Sequence, residues 1–155
     1  MLETQKTESS MDLLPDLEKF EKVCRRIRLN LPEDCRWVWD ERFNHALVVF
    51  ERQHLELILI PIGLEFEQKW DFYSLGSSPE VISKFVEAGF GLIPGQFIYI
   101  TLHGDDKDLI LYAACWPWGD GAKFSLRVGI HSLPPERLGR EAIRSLLTDW
   151  LEIDH

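Results

Sequence analysis

The sequence lacks the short motifs that mark several common enzyme classes. It has no phosphate-binding P-loop, no Gly-x-Gly-x-x-Gly run after a strand, no Gly-x-Ser-x-Gly elbow and no His-Glu-x-x-His pair. We therefore expect no cofactor and no catalytic residue set. Binding is a more natural expectation for this chain than catalysis.

Cysteine is scarce, and no two cysteines have the Cys-x-x-Cys spacing of a zinc or redox site. Cys24, Cys35 and Cys115 are odd in number, so at least one thiol is free of an intrachain disulfide. No apolar run is as long as a membrane span, and the polar, acidic first residues do not have the pattern of a secretory signal. These absences predict a reduced, cytoplasmic protein that does not enter a membrane.

Positive charge is also in short supply. The chain has 17 Lys and Arg against 26 Asp and Glu, a formal net charge of -9. A phosphate backbone or an anionic membrane would be repelled by this excess, and the small basic group at Arg25, Arg26 and Arg28 does not reverse it. We therefore expect no nucleic-acid partner.

The apolar content is sufficient for one ordinary core, since 45% of the 155 residues are hydrophobic. Residues 1–11 have no apolar periodicity and are predicted to be a flexible tail before a single domain over 12–155. Helices are predicted over about 12–28, after the capping run Gly76–Glu80, and after Ser132–Glu136. Strands are predicted in two groups of three: Cys35–Trp39, His45–Phe50 and Leu55–Ile62, then Gln96–His103, Leu109–Trp118 and Lys123–His131, with a further short extended piece near Lys69–Tyr73.

The predicted order is helix, three strands, helix, three strands, helix. Because the strands come in groups and do not alternate singly with helices, the sequence favours an α+β fold with a mainly antiparallel sheet. His45–Phe50 and Leu55–Ile62 are interpreted as a hairpin that pairs Phe50 with Leu55, Val48 with Leu57 and Ala46 with Leu59, so that all six residues face one core.

The segment Cys-Trp-Pro-Trp-Gly-Asp-Gly, residues 115–121, leads into a second hairpin. A three-residue turn over Gly119–Gly121 pairs Trp116 with Phe124 and makes every inward pair apolar. A two-residue turn would instead place Trp116 opposite Ser125 and Trp118 opposite Lys123. The all-apolar pairing predicts the first register, with Trp116 and Trp118 at the wide end of the core.

The other face of these strands is also apolar. Extending the same residue pairing to the preceding strand pairs Leu102 with Ile110. It also puts Phe97, Tyr99 and Leu111 together on the opposite side of the sheet. A sheet face in water would alternate in polar residues, so this apolar sheet face needs a cover. The cover is a helix of the same chain, a second subunit in a homodimer, or another protein.

Candidate chemical groups are few, and each has a structural explanation. Cys115 is not expected to be a nucleophile, because its predicted neighbours are not histidines. The run His103–Asp108 is polar enough to hold a metal, but a hairpin tip needs such residues anyway, so no metal site is predicted. His45 and His54 are expected at solvent, and Asp40, Glu41 and Glu51 as ordinary surface acids.

The order of elements, the size and the acidity resemble those of the small type III secretion chaperones and of YbjN-like proteins. The resemblance covers about residues 12–150. It implies a homodimer whose exposed hydrophobic sheet surface holds an extended partner segment, with Phe97, Tyr99 and Leu111 as candidate contacts.

Two hypotheses follow for the function. The first is a non-enzymatic protein-binding module, chaperone-like or adaptor-like, that uses the apolar sheet face. The alternative is a small-molecule-binding protein or enzyme with a pocket near Trp37, Trp39, Trp116 and Trp118, the tryptophan-rich end of the sheet.

Overall fold

The fold was obtained as a computed structural model, which describes residues 17–103, 109–133 and 138–153. Of His103 it describes only the backbone. These residues form four α-helices and six strands. In chain order the elements are α1 (17–30), β1 (Val38–Asp40), β2 (His45–Glu51), α2 (Leu55–Glu65), β3 (Gln68–Asp71), α3 (Glu80–Gly89), β4 (Phe97–His103), β5 (Leu109–Pro117), β6 (Lys123–Ser132) and α4 (Arg140–Trp150). Short 3₁₀ turns over Arg52–His54 and Leu75–Ser77 precede α2 and α3.

All six strands form one antiparallel sheet in the order β1-β2-β6-β5-β4-β3. The two longest strands, β5 and β6, lie at its centre, and β1 and β3 are its short edges. The predicted α+β class with an antiparallel sheet is confirmed, as is the outline of helix, strands, helix, strands, helix.

Helices cover both faces of the sheet. On the first face α1, α2 and α4 pack onto alternate residues of the strands, such as Val48, Leu111 and Leu126. On the second face α3 packs through Ile82, Phe85 and Val86 onto Ile98, Ile100 and Ile110. Strands β4 and β5 are apolar on both sides because a hydrophobic core packs against each face of the sheet.

Helix α1 is the middle helix of the first face. Its predicted stripe is buried, including Phe20, Cys24 and Ile27. Its charged residues reach sideways to both neighbours: Lys19 and Arg26 pair with Glu67 and Glu65 near the end of α2, and Arg25 and Arg28 pair with Asp149 and Glu152 near the end of α4.

The predicted hairpin between β2 and Leu55–Ile62 is wrong. Residues Leu55–Glu65 are the helix α2, and β2 pairs with β6 instead. Every residue from Leu55 to Ile62 except Glu56 is apolar or proline, so two-residue alternation and helical periodicity both match this segment. The unfavourable turn chemistry of Arg52-Gln53 agrees with the helix, because these residues form a 3₁₀ turn that leads directly into it.

The predicted register between β5 and β6 is also wrong. Trp116 lies opposite Ser125, and the Trp118 amide donates to the Lys123 carbonyl at 2.8 Å, as a two-residue turn requires. The inward pairs need not all be apolar, because Arg127 is accommodated on an inner face, where its guanidinium lies over the Trp116 ring and binds Asp40. The register between β4 and β5 is confirmed, with Leu102 opposite Ile110.

The remaining helices differ little from the prediction. Helix α3 begins at Glu80 and ends at Gly89, as the capping run and the glycine indicated. The last helix begins at Arg140, later than expected, after Gly139 as its N-cap. The predicted tail over 1–11, the hairpin tip Gly104–Asp108 and residues 134–137 lie outside the described residues.

Candidate functional site

A cavity of about 670 Å³ opens beside the second face of the sheet, at the end that α3 leaves uncovered. Its walls are the C-terminal half of α3, the adjoining ends of β2, β5 and β6, the loop before β2 and the start of α4. Its volume lies within the range of about 300–1,000 Å³ that is usual for small-molecule sites. We call it the His45–Tyr112 cavity, after the two polar side chains of its wall that hydrogen-bond to each other.

Gly129 makes the pairing of His45 and Tyr112 possible. Tyr112 lies directly opposite Gly129 in the sheet, and extending the β2–β6 register by one residue places His45 on the other side of it. With no side chain at Gly129, the Tyr112 ring can lie across β6; a Cβ there would overlap the ring and its hydroxyl. The Tyr112 Oη then comes within 3.2 Å of His45 Nδ1.

Arg127 and Asp40 hold the far side of the His45 ring. Arg127 Nη1 lies 3.0 Å from His45 Nε2 and 3.1 Å from Asp40 Oδ2. The Arg127 and Asp40 side chains are each about one-fifth exposed, so the pair is screened from most of the solvent. Asp40, Arg127, His45 and Tyr112 thus form a continuous chain of polar contacts that ends at the cavity.

Burial controls the protonation of His45 and Tyr112 in this row of polar contacts. His45 is only 2% exposed, and burial, with help from the Arg127 charge, lowers its pKa to about 4. Burial also raises the pKa of Tyr112 above its usual value. At neutral pH both side chains are therefore uncharged. The expectation that His45 lies at solvent is wrong.

The walls around this pair are largely aromatic. Phe85 packs between Tyr112 and the His131 ring, with centroids 5.4 and 4.7 Å away, and Phe90 contacts Tyr112 at 5.2 Å. Phe43 stacks on His45 at 5.6 Å and is half exposed at the mouth. A planar apolar molecule would meet ring surfaces on several sides of this cavity.

The loop before β2 closes the cavity against α4. Asn44 has a left-handed backbone, with φ of 53°, and its side-chain amide donates to the Arg140 carbonyl at 3.2 Å. In return the Arg140 guanidinium donates to the Glu41 carbonyl. Asp40 fixes the same loop by accepting the Arg42 amide at 3.1 Å. These bonds place Phe43 and Asn44 beside the start of α4.

The candidate partner surface predicted from the sequence is covered by the chain's own helices. Tyr99 is 5% exposed and Leu111 is fully buried, both in the core beneath α1, α2 and α4. Phe97 is half-buried at the edge of that core, under the Lys69 ammonium at 4.6 Å. A bound segment would have to displace helices to reach this face.

The structure does not bring the four predicted tryptophans together. Trp37 and Trp39 pack against the first-face core at the β1 edge, whereas Trp116 packs with the second-face core against Phe90. Trp118 is exposed in the turn after β5, beneath the Lys123 ammonium. None of the four lines the His45–Tyr112 cavity.

Other chemical groups of the chain do not assemble into a site among the described residues. Burial raises the pKa of Cys115 to about 12, so its thiol stays protonated. Within 17–103, 109–133 and 138–153 no three His, Cys, Asp or Glu side chains are grouped to hold a metal. The possible metal run His103–Asp108 lies outside the described side chains.

Sequence reasoning missed the His45–Tyr112 cavity because its residues are far apart in the chain. Tyr112 and Arg127 are 67 and 82 residues from His45. Gly129 in the interior of β6 was the one signal, since a glycine inside a strand can mark a close approach by another group.

None of the helices in the described ranges combines the length and apolar character needed to cross a membrane. No protein-family model, curated protein or solved structure matches the chain.

Proposed function

We propose that the protein binds a small molecule in the His45–Tyr112 cavity. The observation that carries the proposal is a buried, uncharged His–Tyr pair in the wall of a ligand-sized aromatic cavity. Such sites combine apolar walls with a few fixed polar groups that orient the ligand. This retains the small-molecule hypothesis but moves the pocket away from the tryptophans.

The experiment is a binding titration with the fluorescent dye 1-anilinonaphthalene-8-sulfonate on the purified full chain. Ala88 is exposed on α3 at the cavity wall, so Ala88→Phe should obstruct the cavity without disturbing the core. We expect the dye to bind the native protein and Ala88→Phe to weaken it about tenfold or more.

Ala142→Phe is the matched control. Ala142 is also an exposed helical alanine, but it does not line the cavity, so this variant should bind the dye as the wild type does. Equal dye binding by wild type and both variants, or no binding to any of them, would contradict the proposal.

A second candidate function, self-association, is favoured by the outer surface of α2. Leu57, Ile60 and Leu64 are 58%, 63% and 81% exposed and form one row along the helix, which we call the α2 stripe. A helix that is apolar on all sides normally has contacts on all sides. On a single chain the α2 stripe is accessible, unlike the covered sheet face.

We infer that a second copy of the chain covers the α2 stripe. The stripe is self-complementary, because antiparallel packing about a two-fold axis places Leu57 of one copy against Leu64 of the other, with Ile60 near the axis. The same packing brings exposed Arg52 before α2 towards Glu65 at the end of α2 and Glu67 after it, which places opposite charges near each other. The homodimer hypothesis is supported by this symmetry.

Sedimentation equilibrium over a wide concentration range tests the dimer. We expect the wild type to dimerise and Leu64→Glu to remain monomeric, because the glutamate would lie within the apolar contact. Leu29→Glu is the control, since Leu29 is 73% exposed on α1 and lies outside the stripe. A monomeric wild type, or equal dimerisation by Leu64→Glu, would exclude this interface.

A further inference from the structure

The hydrogen bond from Arg127 determines which nitrogen of His45 carries the proton. A guanidinium can only donate, so His45 Nε2, 3.0 Å from Arg127 Nη1, must accept. The Asp40 carboxylate is 3.8 Å from the same nitrogen, too far to accept a hydrogen bond from it. The proton of the neutral ring therefore lies on Nδ1.

This tautomer determines the role of the Tyr112 hydroxyl. Nδ1–H faces Tyr112 Oη at 3.2 Å, so His45 donates and the tyrosine oxygen accepts. The hydroxyl's own proton must then point elsewhere. Within the described part of the chain the Tyr112 Oη forms no other hydrogen bond, and Tyr112 is only 6% exposed. A buried donor without an acceptor is unfavourable, and the cavity is the space beside it.

The charge of the cavity wall differs from that of the whole chain. None of the wall residues is Asp or Glu, although the chain has 26 of them. Two cationic side chains, Lys84 and Arg140, contribute to the wall. Lys84 pairs with Glu80 at 2.9 Å, but both side chains are about three-quarters exposed, and such pairs hold their partners weakly.

We infer that the ligand is an organic anion with an aromatic body, of the class of aromatic carboxylates, and that its oxygen accepts the Tyr112 hydroxyl proton. The inference rests on the proposed function, since it assumes that the His45–Tyr112 cavity is the binding site. The aromatic body packs against Phe85 and Phe90. The carboxylate lies where the Tyr112 donor and the Lys84 and Arg140 cations attract it.

Three naphthalene compounds of similar size and different charge test the inference. We would measure dissociation constants for 2-naphthoate, 2-naphthamide and 2-naphthylmethylammonium by calorimetry at low ionic strength. We expect 2-naphthoate to bind at least about tenfold more tightly than the neutral amide, and the cation to bind most weakly.

Two variants separate the contributions. Tyr112→Phe keeps the ring and removes the donor, so it should weaken 2-naphthoate about tenfold, the size of one hydrogen bond to a charged group. Lys84→Gln should weaken 2-naphthoate and leave 2-naphthamide unchanged. Lys22→Gln is the matched control: Lys22 is exposed on α1, beyond the opposite face of the sheet, and its loss should change neither compound.

Circular dichroism would verify that Tyr112→Phe folds, and Lys84→Gln provides a second test at an exposed position. Equal affinity for the three compounds would overturn the anionic preference, and unchanged 2-naphthoate affinity in folded Tyr112→Phe would overturn the hydroxyl contact. If the compounds bind equally but Ala88→Phe weakens all of them, the inference fails and the proposed function stands. If Ala88→Phe has no effect on any of them, the proposed function fails as well.

Discussion

His45 links the protonation of one residue to the stability of the whole chain. Its pKa is about 4 in the folded protein, against an ordinary value of 6.5, because burial and the Arg127 charge oppose protonation. Between these values the unfolded chain binds a proton that the folded chain does not. The contribution of His45 to stability is therefore complete above about pH 6.5 and is lost as the pH falls towards 4.

We predict that this effect removes about 2 kcal/mol from the free energy of unfolding between pH 7 and pH 5. Urea denaturation at several pH values would measure it. Other groups also titrate, among them Asp71 and Glu80, whose hydrogen bonds lower their pKa values. The comparison with His45→Gln isolates the histidine, because this variant keeps the other groups. Parallel pH dependence in the two proteins would show that His45 is not responsible.

Residue chemistry alone could not have placed His45 correctly. Its neighbours in sequence, Asn44 and Ala46, give no indication of burial, and the polar loop before it favoured solvent. Its environment comes from Arg127 and Tyr112 on two other strands. The pairing of β2 with β6 brings to His45 the residues that determine its pKa. The predicted hairpin pairs β2 with a different segment, so it could not have identified these residues.

Helix α2 shows the limit of the hydrophobic pattern as a predictor of secondary structure. Where nearly every residue is apolar, the pattern cannot distinguish a strand from a helix. Pro61 lies inside α2, where its missing amide leaves the Leu57 carbonyl without its helical partner. Leu57 is on the exposed side, so water can bind that carbonyl. By contrast, α1 and α3 alternate apolar and polar residues at helical spacing, and both were predicted correctly.

Truncation of two adjacent residues of α2 should have very different effects on the free energy of unfolding. Ile58 is buried and Leu57 is exposed, whereas the wrong hairpin placed Leu57 in the core. We predict that Ile58→Ala lowers the free energy of unfolding by about 2–5 kcal/mol because it leaves a cavity. Leu57→Ala should change it by less than about 0.5 kcal/mol.

Urea denaturation in dilute protein, where self-association does not contribute, would measure both variants. A large loss at Leu57 with little effect at Ile58 would restore the strand interpretation of this segment.

Side-chain polarity alone was not a reliable guide to the strand registers. Between β4 and β5 both candidate faces are apolar, and continuous pairing through Leu102 and Ile110 gave the right answer. Between β5 and β6 the choice depended on how an arginine is treated. Arg127 is inside because Asp40 neutralises it and Trp116 stacks under it, and both partners lie on other strands.

For the whole molecule, the sheet with helices on both faces explains the two-sided apolar strands without requiring a partner. The sequence indicated that the face with Tyr99 and Leu111 needed a cover, and the cover is α1, α2 and α4. What periodicity could not reveal was the assembly of these helices on one face. Their ion pairs, such as Arg26 with Glu65 and Arg28 with Glu152, join segments far apart in the chain.

The cysteines report on the opening of this assembly. Cys24 on α1 and Cys115 on β5 are fully buried in the same core, and burial raises the pKa of each thiol. Cys35, before β1, is only partly buried. In native protein treated with an aromatic disulfide reagent, we predict that Cys35 reacts first, and that Cys24 and Cys115 react at least about a thousandfold more slowly.

Because both buried thiols need the helical layer to separate from the sheet, their labelling rates should be equal and should rise together with urea. Mass spectrometry of the labelled peptides would give the three rates separately, and Cys35→Ser should remove the fast phase alone. Labelling of Cys115 well ahead of Cys24 would mean that β5 becomes exposed while α1 stays packed. The first face would then open in parts, and the apolar sheet face would become accessible without global unfolding, as a chaperone-like mechanism requires.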